Sequence, residues 1–183
     1  LSNICNVEVT TNGDPLNEKN IVELMESGLG KLVVSLYDGP EQIKQYEKLF
    51  SKVGIDKSKY VLRDRWYKED DGWGLMVTNR AGTLDLKNKN LPEKKDFTCY
   101  YTHYSMMIDW NGDCYLCTQD WQRKVVSGNI HKQNIVEIWN SEILRKYRTD
   151  LGSGKRKDNP CKNCNAFGLM HGAKHYKAWE KYY

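Results

Sequence analysis

The first half of the chain alternates short apolar strands with amphipathic helices. Alternating, β-branched residues predict a strand over 5–11, and Asn17 is a good N-cap for the helix that follows. A nearly continuous apolar strand is predicted over 31–36, then a helix beginning near Pro40 and a third strand beginning at Tyr60. This β-α-β-α-β order indicates an α/β fold with a parallel sheet, right-handed crossovers and functional groups at the carboxyl ends of the strands.

Three parallel strands would leave open sheet edges and one uncovered face. We therefore expect partner strands, either upstream in the same polypeptide or on another chain. The alternative is a small three-stranded α/β layer edged by residues 66–90. Residues 66–98 are polar and rich in turn formers, so we place a domain boundary near residue 90, giving domains 1–90 and 91–183.

The second half begins with a predicted β-hairpin. Asn111-Gly112 lies between two apolar segments, 105–108 and 113–116, and Asn-Gly in this setting is the strongest short hairpin signal. The second strand of this hairpin leads directly into Cys117.

Helices are predicted after the hairpin. Asn134 is the favoured cap of a helix, with Glu137 placed as in a capping box, and Ser141 is the second candidate cap. A terminal helix is predicted over 173–183. The second half is thus a small α+β domain with a β-hairpin and helices.

Five of the six cysteines lie between residues 99 and 164 and include two C-x-x-C pairs. Two distant pairs can form one four-sulfur site, which suits zinc or an iron–sulfur cluster. Strand alternation points Cys114 and Cys117 to opposite faces, which favours Cys114 as a small buried strand residue. The preferred ligands are then Cys99, Cys117, Cys161 and Cys164.

Two alternatives to this ligand set stay open. The first is a zinc-stabilised binding module without catalysis, whose ligands are Cys114, Cys117, Cys161 and Cys164. The second is a pair of disulfides or a set of buried free thiols. His103 and His171 lie near the cysteines in sequence, and we favour plain structural roles for both over metal ligation.

Composition narrows the class of protein. Of 183 residues, 39% are hydrophobic and 28% charged, and no apolar run reaches the roughly 18 residues of a membrane span. Six cysteines without an export signal favour a reducing, cytoplasmic compartment. The net charge of +4 is only mildly basic, so nucleic acid is an unlikely partner, and we expect the basic run Lys155-Arg156-Lys157 to be solvated.

The motifs of the second half resemble the C-terminal portion of a radical SAM enzyme with a SPASM or twitch auxiliary-cluster domain. The resemblance implies an auxiliary [4Fe–4S] cluster on Cys99, Cys117, Cys161 and Cys164 that transfers an electron to or from a substrate radical. The matching segments are Cys99, N-G-D-x-Y-x-C at 111–117, G-N-I at 128–130, I-V-E-I-W-N-S at 135–141, Arg148 and P-C-x-x-C at 160–164.

The first half is similar to the middle of the partial parallel (β/α) barrel of the same family. There the resemblance implies that Thr11 and Ser35, at strand ends, lie near S-adenosylmethionine, with Arg63 on the next strand. The family's C-x-x-x-C-x-x-C loop, which holds the cluster that cleaves S-adenosylmethionine, is absent from the sequence. We therefore expect a missing N-terminal barrel portion, in cis or in trans, and a peptide or small molecule as the substrate of the complete enzyme.

Overall fold

The chain divides into two compact units, Leu1–Leu75 and Met76–Tyr183. No helix in the described part of the chain combines the length and the apolar character needed to cross a membrane. The computed structural model of the protein describes residues 4–66, 78–85, 97–168 and 172–182.

Segment 78–85 belongs to the second unit. The predicted domain boundary near residue 90 lies outside the described residues. The backbone N of Asn79 donates to Oδ1 of Asn165 at 2.8 Å, and Thr78 donates to Gln119 at 2.6 Å. These hydrogen bonds across long sequence separations bring segment 78–85 into the second unit.

In residues 4–66, the described part of the first unit, a three-stranded parallel sheet carries two helices. Strand β1 (Glu8–Thr11) pairs with β2 (Lys31–Leu36), and β2 pairs with β3 (Tyr60–Asp64), in the spatial order β1-β2-β3. The crossovers contain α1 (Glu18–Glu26) and α2 (Glu41–Lys52). The predicted α/β character and the order of elements are confirmed.

Both helices of the first unit pack on the same face of the sheet. Because the strand order does not reverse, two right-handed crossovers place their helices on one side. Asn17 caps α1 as predicted, since its side chain accepts from the backbone N of Asn20 at 3.0 Å. The buried residues of this layer are Ile21, Leu29, Leu32, Val34, Leu36, Tyr46 and Phe50.

The second unit is built on an antiparallel sheet. Strands β4 (Met107–Ile108) and β5 (Asp113–Tyr115) form the predicted hairpin, and Gly112 in its turn has a φ of +83° that favours glycine. A third strand, β6 (Val126–Asn129), pairs with β5 and was not predicted. Its Val-Ser-Gly-Asn sequence has no apolar alternation that would predict a strand. This segment is a strand because it pairs with β5.

The helix predicted after the hairpin is in fact two helices. Asn134 caps the first with the predicted capping box, and the Ser141 side chain caps the second, so the two candidate caps both function. The expected terminal helix ends at Trp179 and continues as a 3₁₀ turn. The helices of this unit are α3 (Tyr101–Tyr104), α4 (Ile135–Trp139), α5 (Glu142–Gly152) and α6 (Ala173–Trp179).

Candidate metal centre

Four cysteine side chains line a single cavity in the second unit. They come from three places along the chain: Cys99 just before α3, Cys117 just after β5, and the pair Cys161 and Cys164 after α5. These are the four residues preferred from the sequence. The remaining lining residues are Tyr101, Thr102, Leu116, Gln119, Leu151, Arg156 and Ala166.

Backbone hydrogen bonds hold the segments that carry these thiols. The N–H of Cys99 donates to the carbonyl of Leu151 at 3.1 Å, which ties this thiol to the end of α5. Cys161–Asn163 form a short 3₁₀ turn, in which the N–H of Cys164 donates to the carbonyl of Cys161 at 3.1 Å. This turn brings both sulfurs of the C-x-x-C pair to the same cavity.

Backbone N–H groups point at the sulfur atoms. The N–H of Gln119 donates to Sγ of Cys117 at 3.4 Å, and the N–H of Ala166 donates to Sγ of Cys164 at 3.4 Å. In each case the donor lies two residues after the cysteine. Such N–H···S contacts stabilise sulfur that carries negative charge and tune the potential of iron–sulfur clusters.

The electrostatics of the cavity disfavour four ionised thiols without a positive charge among them. Burial raises the pKa of Cys99, of Cys161 and of Cys117, the last to about 12. A negative charge on neighbouring cysteines raises these pKa values further, because the four groups lie close enough to repel one another. Four thiolates therefore require a cationic core in the cavity.

The donor set fits an iron–sulfur cluster. All four candidate ligands are sulfur, their cavity is largely enclosed, and two of the sulfurs accept backbone N–H bonds. In the described ranges, no three His, Cys, Asp or Glu side chains converge closely enough to hold a single metal ion. All four cysteines nevertheless line the same cavity.

The other two cysteines lie away from this cavity lining. Cys114 is fully buried in β5, as predicted, and its Sγ lies 3.9 Å from the carbonyl oxygen of Gly112. Cys5 is exposed in the first unit. None of the six cysteines forms a disulfide, so the disulfide form of that alternative is not what the structure contains.

Of the two histidines for which structural roles were favoured, His103 and His171, only the first lies in the described residues. His171 lies outside the described residues. His103 is buried in α3, edge-on to the ring of Tyr176 at 5.0 Å, with its Nδ1 3.4 Å from the hydroxyl of Thr102. Burial and the charge of Arg148 lower its pKa to about 4, so it is neutral at pH 7. These contacts are those of a packed core histidine.

The strand-end residues of the first unit divide between the two faces of the sheet. The register pairs Ser35 with Arg63, so their side chains share one face. Thr11 pairs with Val34, whose side chain belongs to the helix-covered core, and its hydroxyl accepts from the N–H of Gly13 at 3.1 Å. Thr11 thus lies on the face opposite to Ser35, and Thr10, which we did not select, lies on the same face as Ser35.

Sequence reasoning misplaced one charged residue at the cavity. Arg156 was expected to be solvated with its basic neighbours, but it is 4% exposed and lines the cavity, while Lys155 and Lys157 are exposed. The expectation was wrong because charge alone does not reveal backbone acceptors. Its only sequence signal is its position shortly before the Cys161 pair.

Comparison with known proteins defines the class of the second unit. Residues 99–165 match the SPASM family, an iron–sulfur cluster-binding domain. The match begins at Cys99 and ends just after Cys164, so it contains all four cavity cysteines. The resemblance predicted from the cysteine motifs is therefore confirmed for this part of the chain.

Relatives of known activity extend the match into the first unit. The chain is 32% identical over 161 residues to S-adenosyl-L-methionine-dependent 2-deoxy-scyllo-inosamine dehydrogenase of Niallia circulans, covering 86% of this chain and 59% of that protein. It also resembles the crystal structure of BtrN in complex with AdoMet and 2-DOIA, with 30% identity, a TM-score of 0.70 and coverage of 91% of this chain and 62% of that one.

A second solved structure gives the same result. Against SeMet BtrN in an open conformation, the identity is 26% and the TM-score 0.59, covering 88% of this chain and 57% of that chain. The chain spans about three fifths of the length of the relatives that it matches. These likenesses confirm the resemblance to an S-adenosylmethionine-dependent oxidoreductase with a SPASM portion.

Proposed function

We propose that Cys99, Cys117, Cys161 and Cys164 hold an auxiliary [4Fe–4S] cluster. The observation that carries this proposal is that these four thiols, from three separate segments, line one cavity inside the region that matches an iron–sulfur domain. The N–H···S bonds and the raised thiol pKa values support a site that becomes stable only around a cationic core.

The number of ligands indicates the role of the site. Four cysteines occupy one coordination position on each iron, which leaves no open iron for the substrate. When bound, such a cluster accepts or donates one electron. The protein contributes the buried sulfur ligands, the N–H donors and the exclusion of water, which together set how readily that electron is taken up.

The complete enzyme is proposed to oxidise a small molecule with S-adenosylmethionine as cofactor. Support comes from the relative of Niallia circulans, whose substrate class favours a small molecule over a peptide. Removal of one substrate hydrogen atom leaves a radical that must lose one more electron and one proton to complete a two-electron oxidation. The cysteine site offers the acceptor for that electron.

The C-x-x-x-C-x-x-C loop that this chemistry requires is not among the 183 residues. Further sequence of the same polypeptide, or a partner chain, would supply this loop. The lack of a disulfide among the six cysteines supports a reducing compartment such as the cytoplasm.

We also propose that the first unit is part of a (β/α) barrel that binds S-adenosylmethionine. The parallel order β1-β2-β3 with both helices on one face supports this, since a barrel has its helices outside. Ser35 and Arg63 share the opposite face, which in a barrel is the interior. Ser35 and Arg63, two of the three residues expected near the cofactor, therefore fit an interior position. Thr11 lies on the other face and would contact the cofactor only because it is at the end of its strand.

Anaerobic reconstitution with iron and sulfide tests the cluster assignment. We expect a brown, oxygen-sensitive protein with about four irons and four sulfides per chain. Cys117→Ser should lower the iron content, whereas Cys114→Ser, the matched control in the same C-x-x-C pair, should retain it. Stoichiometric zinc without sulfide, lost on Cys114→Ser, would instead establish the zinc-binding alternative.

A further inference from the structure

Arg156 is a buried charge at the wall of the cysteine cavity. It lies in the connection between α5 and the Cys161 pair, flanked on both sides by exposed lysines. Its side chain lines the cavity together with all four candidate ligands and is 4% exposed. A guanidinium stays charged at any pH at which proteins fold, so this wall carries a permanent positive charge.

The guanidinium is held by neutral groups. Its Nη1 donates to the carbonyl of Cys164 at 3.1 Å, Nη2 to the carbonyl of Ala166 at 2.9 Å, and Nε to the carbonyl of Phe97 at 3.3 Å. The ring of Phe97 lies 4.3 Å from its central carbon. These contacts fix the position of the charge, but none of them neutralises it.

A buried cation without an anionic partner is costly, and proteins usually pair such charges. In the described residues, Arg156 forms no ion pair with a carboxylate. The groups around the cavity that could carry a negative charge are the four cysteine thiols. The positive charge of Arg156 lowers the pKa of Cys99 and of Cys161, although burial dominates and leaves both raised. The thiolates of a loaded cluster would be the missing counter-charge.

We propose that Arg156 is the fixed counter-ion of the auxiliary cluster, which raises the cluster's reduction potential and holds the loop that carries Cys164. This inference rests on the proposed function of the cavity. A cluster with four thiolates gains one negative charge on reduction, so a nearby cation stabilises the reduced state more than the oxidised state. Arg156 thereby makes the site a better acceptor for the electron that a substrate radical must lose.

The test is a potentiometric titration of the reconstituted 183-residue chain, followed by electron paramagnetic resonance. We expect Arg156→Gln to lower the ratio of reduced to oxidised cluster at a fixed potential about tenfold, which corresponds to about 59 mV for one electron. Arg156→Lys keeps the charge and should stay near the parent ratio. Lys157→Gln removes the same charge from the exposed neighbouring position and should leave the ratio unchanged, because solvent screens it.

Four outcomes separate the possible roles. A cluster with the parent potential in Arg156→Gln would overturn the proposal, as would an equal shift in Lys157→Gln. If the Arg156→Gln chain binds no cluster but the Arg156→Lys chain does, the positive charge of Arg156 is what the cluster needs. If neither variant binds a cluster, Arg156 has a packing role only. Arg148→Lys, at a second buried arginine that does not itself line the cavity but donates to the carbonyl of the lining residue Thr102, controls for general destabilisation. A parent chain that binds no iron and sulfide would refute the proposed function itself.

Discussion

Gly168 limits what can be placed beside one of the candidate ligands. Its φ is +59°, and a Cβ built there would lie 2.7 Å from the Cα and 2.9 Å from the Sγ of Cys99. Any side chain at this position must therefore displace the backbone that carries the thiol. The absence of a side chain at residue 168 is part of how the cavity keeps its shape.

Gly168→Ala should reduce the iron and sulfide bound per chain. The matched control is Gly154→Ala, where φ is +78° but a Cβ would meet nothing closer than 3.7 Å. Both variants carry backbone strain of about 1–3 kcal/mol, but only the first also pushes on Cys99. Equal cluster contents in the two variants, measured by iron and sulfide analysis, would contradict this role of Gly168.

His103 should make the second unit sensitive to mild acid. Its pKa is about 4 in the folded protein and ordinarily 6.5, so the unfolded chain binds more protons between these values. The free energy of unfolding is therefore highest above pH 6.5 and decreases as the pH falls toward 4, by at most about 3 kcal/mol.

Urea unfolding at several pH values measures this dependence. His103→Gln should flatten the slope between pH 6.5 and 4, whereas His131→Gln, at an exposed histidine of the same unit, should preserve it. An unchanged slope in His103→Gln would assign the acid sensitivity to other groups.

Among the secondary-structure elements, those with their own local signal were predictable. The Asn111-Gly112 turn, the Asn134 capping box and the apolar strand 31–36 depend on side chains within a few residues, and each was found in place. Strand β6 and the break between α4 and α5 were missed. Strand β6 forms because it pairs with β5. The break between α4 and α5 was missed because the apolar positions repeat without interruption across both helices, although each helix has its own cap.

The four thiols that line the cavity could be selected from the sequence for the same reason. Cysteine spacing and strand alternation singled out the four thiols, since both are local properties of the sequence. The position of Arg156 was not predictable, because its acceptors are backbone carbonyls of residues up to 59 positions away. The sequence made no prediction of the face on which Thr11 lies, since that face follows from the register with β2 rather than from the position at a strand end.

The side-chain cap at the start of α5 should support the cysteine cavity. The Ser141 side chain accepts from the N–H of Leu144, and the helix then brings Leu144, Tyr147 and Leu151 into the cluster of buried residues that contains Cys99 and Cys161. Ser141→Ala should lower the free energy of unfolding by about 1 kcal/mol and shorten the lifetime of the bound cluster.

Thr149→Ala, on the exposed side of the same helix, is the control and should change neither quantity appreciably. Urea unfolding gives the stability, and the loss of cluster absorbance in air gives the lifetime. If Ser141→Ala matches Thr149→Ala in both, the cap does not support the cavity.

Across the whole molecule, the two units differ in what forms their cores. The first unit has a continuous apolar layer of aliphatic and aromatic side chains from both helices and β2. In the second unit, two of the candidate ligands, Cys99 and Cys161, are themselves core residues, and Cys164 belongs to a smaller cluster with Ala81 and Ala166. The cysteine cavity is thus part of the core of the second unit, beside apolar side chains such as Leu116, Val125 and Leu144, so a cluster bound at this site would also stabilise the fold.

Removal of iron should therefore destabilise one unit and leave the other nearly unchanged. We expect anaerobic chelation to increase amide hydrogen exchange in α3, β5 and α5, where the ligands and their supports lie, and to leave β2 and α2 protected. The physical reason is that four thiols without a core repel one another when ionised and leave a cavity when neutral, and both effects weaken the packing around them. The Cys117→Ser chain provides the comparison, because it should show the same exchange pattern before chelation. Exchange that rises equally in both units would mean that the first unit also depends on the cluster, and exchange that rises in neither would mean that the second unit folds around an empty cavity.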